Sequence, residues 1–202
     1  MPDRPDTRRH ILSIAQRHLM RRGYNAFSYG DIATELGIKA AAIHYYFPAK
    51  TDLVRAVIGA YGARFDVWSG AMASATSAER LAAYFEIGRL IAADGRVCPL
   101  SMVVAQQEAI PEEVLADVRQ LQVRIIDFYV ENLARGRCNG EVHFEGTAED
   151  EGAKVACTLI GAQLLARVYG VEAYLRVMRQ QARALGLPET WPSFSLSARG
   201  AA

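Results

Sequence analysis

The sequence has few cysteines, and none of them form a metal-binding pattern. Its three cysteines, Cys98, Cys138 and Cys157, contain no CxxC motif, and an odd number cannot form a complete disulfide framework. We therefore expect reduced thiols in a reducing, cytoplasmic compartment. Cys138 and His143 alone are too sparse to hold an ion, so the sequence predicts no metal site.

Long hydrophobic runs are also missing. The most apolar stretch, residues 155–171, is interrupted by Gln163 and Arg167 and is shorter than the roughly 20 residues that cross a bilayer. The polar residues 1–10 precede no apolar run that resembles a signal peptide. With 51% hydrophobic and 22% charged residues, the composition is that of a globular protein, and we expect it to be cytoplasmic.

Motifs for catalysis are absent from the sequence. It contains no GxSxG, P-loop or dinucleotide-binding fingerprint. The histidines are scattered along the chain and suggest no nucleophile paired with a base: His10, His18, His44 and His143. The sequence therefore predicts no catalytic residues and no cofactor, so we do not expect an enzyme.

A net charge of +1 conceals an uneven distribution. Residues 1–64 hold ten Lys and Arg against five Asp and Glu, a balance of +5, and the remainder is net negative by 4. This asymmetry favours contact between the first third of the chain and a polyanion such as DNA.

Helical periodicity dominates the sequence and predicts an all-α fold of about nine helices. Ser28 with Asp31, and Thr76 with Glu79, form capping-box patterns that begin helices. Gly37 is placed to end one. Glycine and polar residues predict a loop over 136–146.

Residues 28–50 carry the pattern of a helix-turn-helix. A capped helix reaches Gly37, and a two-turn helix over 39–47 ends before Pro48. A helix this short can enter the major groove of DNA. Lys50, in the first turn of the next helix, is disfavoured by the helix dipole unless an anion is near, and this suggests a phosphate contact.

These residues resemble the TetR family of bacterial transcription regulators. The resemblance lies in Ile11, Leu12, Ala15, Leu19 and Gly23 of the first helix, D-I-A at 31–33, G-I at 37–38, I-H-Y-Y-F at 43–47, and Lys50 with Leu53. Alanines at 40–42 imply reading of thymine methyls and DNA shape. The resemblance implies DNA contacts by Ser28, Tyr29, Lys39, Ala40, Ala41, His44, Tyr45 and Lys50.

The same resemblance implies a plan for the whole chain. Residues 1–67 would form the DNA-binding domain, 68–187 a ligand-binding and dimerisation domain, and 188–202 an irregular tail. The protein would be a homodimeric repressor of a palindromic operator, released by a small-molecule inducer. Burial in the core is the competing explanation for the implied dimer interface, which comprises Val155, Leu159, Ile160, Leu164 and Leu165.

Aromatic and polar residues of the middle helices are candidates for the ligand pocket as a group, although packing is the better explanation for each of them alone. They are Phe65, Trp68, Tyr84, Phe85, Cys98, Met102, Gln106, Phe128, Tyr129 and Gln163. Cys98, beside Arg96 and before Pro99, is in a setting that lowers a thiol pKa, so a sensor of oxidants or electrophiles is one alternative. A helical adaptor that does not bind DNA is the other.

Overall fold

The computed structural model describes residues 4–187, and these form nine α-helices and one short 3-10 helix without strands. The all-α expectation is confirmed. The helices are α1 (Arg4–Arg22), α2 (Tyr29–Leu36), α3 (Ala40–Tyr46), α4 (Lys50–Ala71), α5 (Ser77–Ala93), α6 (Pro99–Val104), the 3-10 helix (Gln107–Ala109), α7 (Glu112–Cys138), α8 (Ala148–Tyr169) and α9 (Val171–Ala184). No helix within 4–187 has the length and apolar character to cross a membrane.

Local side chains begin and end several of these helices as predicted. Ser28 Oγ accepts the N–H of Asp31 at 3.3 Å, and Asp31 Oδ2 accepts the N–H of Ser28 at 2.7 Å, which completes the capping box of α2. Thr76 and Glu79 form the same box at α5. Gly37 ends α2 with φ +66°, a left-handed conformation that glycine adopts without steric cost.

The chain divides into two compact units. Within the described residues, the first unit contains 4–67 and 97–122, and the second contains 68–96 and 123–187. The sequence assigned 97–122 to the C-terminal domain, but this segment groups with the N-terminal residues because it packs on α1. The N–H of Val97 donates to the carbonyl of Met20 at 3.1 Å, and Gln106 Oε1 accepts the N–H of Asn25 at 3.2 Å.

The core of the first unit is apolar and draws on both of its segments. α1 contributes Ile11 and Leu19, and the later segment contributes Val103, all fully buried. Burying such side chains stabilises the unit by roughly 1.5–3 kcal/mol each. Other buried members are Ala15, Ile32, Ile43, Leu53, Val54, Val57, Leu100, Val114 and Val118.

The second unit packs α5 closely against α8 and α9. Tyr174 Oη donates to the carbonyl of Phe85 at 2.5 Å, and Gln163 Nε2 donates to the carbonyl of Gly88 at 3.4 Å. A Cβ at Gly88 would overlap the Tyr174 hydroxyl, so only glycine allows this approach. Polar groups therefore join helices in the interior of this unit.

One predicted boundary was wrong. The loop expected from Gly136 begins only after Cys138, because α7 continues through Gly136. A Cβ at Gly136 would lie 2.9 Å from Ser77 Cβ and 3.0 Å from Val142 Cγ2, so glycine serves close packing here and does not end the helix. The predicted irregular tail, 188–202, lies outside the described residues.

Candidate nucleic-acid interface

The inner side of α3 is fixed by apolar burial and by one tyrosine. Ile43 is fully buried and Phe47, which ends the helix, is 2% exposed. Tyr29 Oη, from the start of α2, donates to the carbonyl of Phe47 at 2.8 Å. The position of α3 relative to α2 is therefore set at its buried face and at its C-terminal end.

The outer side of α3 is open to solvent. Lys39, Ala41, His44 and Tyr45 are exposed, and Ala40 is half-buried. Tyr45 is 69% exposed, although its ring makes an edge contact with that of Tyr46. The structure thus brings five of the eight predicted DNA-contacting residues to one outward face of a short helix.

Tyr29 does not belong to this outer face. Its side chain is buried, its hydroxyl is used by Phe47, and its ring meets that of His44 edge-on at 4.6 Å. Burial, reinforced by the negative charge of Asp52, raises the pKa of Tyr29 to about 12. The expected side-chain contact with DNA is therefore corrected, because Tyr29 positions α3 from within. Ser28 stays exposed, with its hydroxyl engaged in the cap of α2.

Lys50 also points inward. Its ammonium donates to the carbonyl of Phe27 and lies 4.4 Å and 4.8 Å from the ring centroids of Phe27 and Tyr24. Burial lowers the pKa of Lys50. The argument for a phosphate at this position was wrong in its premise, since a carbonyl and two aromatic faces already offset the charge.

Several cations of α1 are paired with carboxylates of α2. Arg17 pairs with Glu35, and Arg22 lies 3.6 Å from Asp31. Lys39, at the N-terminal end of α3, forms no ion pair with any residue of 4–187. Its exposed charge is therefore available to a group outside the chain.

The predicted pocket residues are divided between the two units. Phe65, Cys98, Met102 and Gln106 belong to the first, and Trp68, Tyr84, Phe85, Phe128, Tyr129 and Gln163 to the second. Four of these side chains form what we call the aromatic cluster, with ring centroids 5.3–5.8 Å apart: Trp68, Tyr84, Phe128 and Tyr129. Phe85 and Gln163 are buried in the packing of α5 against its neighbours.

Cys98 does not have the lowered pKa that its sequence setting indicated. Burial raises the pKa of its thiol, and this outweighs the opposing hydrogen bonds to the backbone and side chain of Ser101. The expected effect of Arg96 and a helix start was wrong because the thiol is desolvated. A raised pKa disfavours the thiolate that reacts with oxidants and electrophiles.

The predicted interface residues of α8 divide into two sets. Val155 and Leu159 are 0% and 5% exposed and belong to the core of the second unit. Ile160 is half-buried, whereas Leu164 and Leu165 are exposed. Sequence reasoning missed Val168 and Tyr169, which are 72% and 71% exposed on the next turn. Continuing the helical period of Leu164 and Leu165 to the end of α8 would have found them.

An exposed short helix held against a second helix by a glycine turn defines a helix-turn-helix DNA-binding fold. Residues 11–57 match the family model described as bacterial regulatory proteins, tetR family. Residues 11–57 therefore carry the DNA-binding domain typical of the TetR family.

Known proteins extend this likeness. A stretch of 48 residues is 40% identical to the HTH-type transcriptional regulator AcrR of Shigella flexneri, and it covers 24% of this chain and only 22% of that protein. Over the full fold, a TetR-family transcriptional regulator from Agrobacterium tumefaciens is 28% identical with a TM-score of 0.84, covering 91% of this chain and 99% of that one. A TetR regulator from Legionella pneumophila is 27% identical with a TM-score of 0.77, covering 92% and 98%. All three are named as transcriptional regulators.

Proposed function

We propose that this protein is a homodimeric transcriptional repressor that binds a palindromic operator through α3 and is released from it by a small-molecule inducer. The observation that carries the proposal is the outward face of α3, which combines an exposed cation, an exposed phenol and small apolar side chains on a firmly anchored helix.

Each part of that face has a role in the proposed complex. Lys39 neutralises a phosphate, and Tyr45 donates its hydroxyl to a phosphate or a base edge. The methyls of Ala40 and Ala41 let the helix approach closely and contact thymine methyls. Tyr29, from beneath, keeps the helix at the angle that these contacts need.

Dimerisation is supported by the exposed apolar end of α8. Four neighbouring large side chains there are exposed, and monomeric proteins seldom leave such a group in water: Leu164, Leu165, Val168 and Tyr169. In a two-fold dimer the same surface of each protomer meets its mate. The two α3 helices would then lie about 34 Å apart and enter successive major grooves.

Release by an inducer follows from linkage. A molecule that binds better to a state whose recognition helices no longer match the groove spacing shifts the population away from DNA. The aromatic cluster supports the second unit as the place of binding, because effector sites combine an apolar wall with a few polar anchors.

Fluorescence anisotropy with DNA from around the protein's own coding region tests the proposal at two salt concentrations. We expect tight, salt-sensitive binding by the wild type. Tyr45→Ala and Lys39→Gln should each weaken it by about tenfold or more. Lys39→Gln should also lower the dependence of binding on salt by about one released counterion.

Lys154→Gln is the matched control, because it removes the same charge from an exposed lysine of the second unit. Operator affinity equal to the wild type is expected for this variant once its folding has been checked by circular dichroism. If genome-wide selection of bound fragments enriches no site, or if the Lys39 and Lys154 variants behave alike, DNA recognition through α3 is rejected and an adaptor becomes the better explanation.

A further inference from the structure

Two arginines, Arg80 of α5 and Arg135 of α7, lie where the start of α5 contacts α7 in the second unit. Arg80 stands 5.2 Å above the ring centroid of Phe128, and its Nη2 donates to Ser69 Oγ at 3.1 Å. Arg135, two turns beyond Phe128 on α7, donates through Nε to Ser77 Oγ at 2.9 Å. Since Ser77 and Arg80 share a face of α5, the two guanidinium groups lie on the same side of the helix pair.

Neither arginine has a carboxylate partner among residues 4–187. The groups that receive their hydrogen bonds are all neutral: Ser69 for Arg80, and Ser77 and Asn132 for Arg135. Glu141 and Glu131 act electrostatically on Arg135 and Arg80, respectively, but neither forms an ion pair with them. Glu141 Oε2 accepts the backbone N–H of Ser77 at 2.6 Å, and Glu131 acts on Arg80 only through its longer-range field.

The electrostatics of Arg80 are those of a cation without its counter-ion. Burial lowers the pKa of its guanidinium, and the positive charge of Arg135 lowers it further. Its Nε is buried and donates to no atom of the described residues. A buried donor of this kind usually costs free energy unless something binds it, so an unfilled Nε beside a second cation indicates a site for an anion.

An apolar wall adjoins this pair of charges. Phe128, beneath Arg80, is also a member of the aromatic cluster, whose rings of Trp68 and Tyr84 lie 5.4 Å and 5.5 Å from it. A ligand held by its anionic group at the arginines would therefore place its remaining atoms against aromatic faces.

We propose that Arg80 and Arg135 form the anion-binding end of the effector site, and that the effector is an organic acid whose apolar body packs on the aromatic cluster. This inference rests on the proposed inducer-responsive regulator and names the chemical class of its ligand. Two guanidinium groups can hold one carboxylate with several charge-assisted hydrogen bonds, and the neutral amide of the same acid forfeits that advantage.

Trp68 gives a direct measure of binding that needs no DNA. The chain has two tryptophans, so Trp191→Phe leaves Trp68 as the single fluorophore, inside the aromatic cluster. We would titrate this variant with benzoate and with cyclohexanecarboxylate, and with benzamide and cyclohexanecarboxamide as neutral isosteres. A saturable change at millimolar acid is expected, with each amide at least about tenfold weaker.

Substitutions in the same background locate the site. Arg80→Gln and Arg135→Gln should each weaken binding of the acids by about tenfold. Arg137→Gln is the matched control, because Arg137 lies over Phe144 and donates to the carbonyl of Gly146, away from the pair. Arg137→Gln should bind the acids as tightly as the Trp191→Phe background does. Circular dichroism would verify that all three variants fold.

The proposal is overturned if neither acid gives a saturable signal, if the amides bind as tightly as the acids, or if Arg137→Gln loses as much as the other two. Because these titrations contain no DNA, their failure is separate from failure of operator binding. If the acids bind at the arginines but leave a demonstrated operator complex unchanged, the effector role is rejected.

Discussion

The two units of the molecule differ in what their interiors contain. Among the described residues, all the buried non-aromatic side chains that are polar or charged lie in the second unit. They are Ser77, Glu86, Asn132, Glu151, Gln163 and Gln181. The first unit buries an apolar core, and local side chains cap its helix α2. Its caps join residues only three apart, as in Ser28 with Asp31.

In the second unit some of the polar partners are far apart in the chain. Gln181 Nε2 donates to Glu151 Oε1 at 2.9 Å, and Arg135 donates to Ser77. A buried polar group has to find its partner or lose free energy, so such groups specify which helix faces meet. We infer that buried polar groups help to specify the packing of the second unit, whereas the buried core of the first unit is apolar.

The largest loss of stability is expected when a buried carboxylate is removed from α5 in the second unit. Glu86 is 4% exposed, and both its oxygens accept from Arg89 at 2.6–2.8 Å. Glu86→Ala leaves a partly buried cation unpaired and should lower the free energy of unfolding by about 3 kcal/mol. Urea denaturation followed by circular dichroism measures the loss.

The double variant Glu86→Leu with Arg89→Leu is the control. Replacing both charges by apolar groups should recover most of that stability, because the pair serves specificity more than stability. If the single variant loses less than about 1 kcal/mol, Glu86 contributes little to the packing of the second unit.

A smaller effect is expected at Tyr29, whose buried side chain forms a hydrogen bond within the first unit. Its hydroxyl joins Phe47, eighteen residues away. Tyr29→Phe leaves a buried carbonyl without its donor and should cost about 1.5 kcal/mol of stability near neutral pH. Operator binding should weaken too, since the end of α3 loses its anchor.

The cost should depend on pH in a definite direction. The folded-state pKa of Tyr29 is raised from 10.0 to about 12, so the folded protein favours the protonated phenol. Its contribution is complete below pH 10 and is lost as the pH rises towards 12, because the unfolded chain ionises first. The stability difference between wild type and Tyr29→Phe should shrink over that interval, and a difference that grows would contradict the assignment.

The smallest effect is predicted for a local cap. Ser28→Ala removes the side-chain acceptor for the N–H of Asp31 and should cost about 1 kcal/mol. Ser28→Asp supplies another acceptor and should retain most of the stability in the same denaturation experiment. Equal losses in the two variants would show that the hydroxyl of Ser28 does more than cap α2.

The distance between interacting residues explains which features could be predicted from the sequence. The caps at Ser28 and Thr76, the turn at Gly37 and the order of the helices follow from short-range patterns, and they were predicted. The outward positions of α3 were predicted for the same reason, because a two-turn helix has one buried face.

The errors come from contacts between distant residues. Lys50 has its ammonium turned to Phe27, and the thiol of Cys98 is desolvated by tertiary packing, neither of which a local pattern reveals. Gly136 resembles a helix stop in sequence, yet it lies within α7 to admit Ser77. No local pattern marks Arg80, because an arginine near the start of a capped helix is ordinary and its lack of a carboxylate partner among residues 4–187 is a tertiary feature.

The grouping of residues 97–122 with the first unit has a consequence for building hybrid regulators. The chain passes between the units after residues 67, 96 and 122, so no single junction separates the unit that holds α3 from the other unit. A fusion made at residue 67 would exchange part of the hydrophobic core of the first unit, namely Leu100, Val103, Val114 and Val118. Moving the first unit into another protein therefore requires both of its segments, 4–67 and 97–122, from the same parent protein.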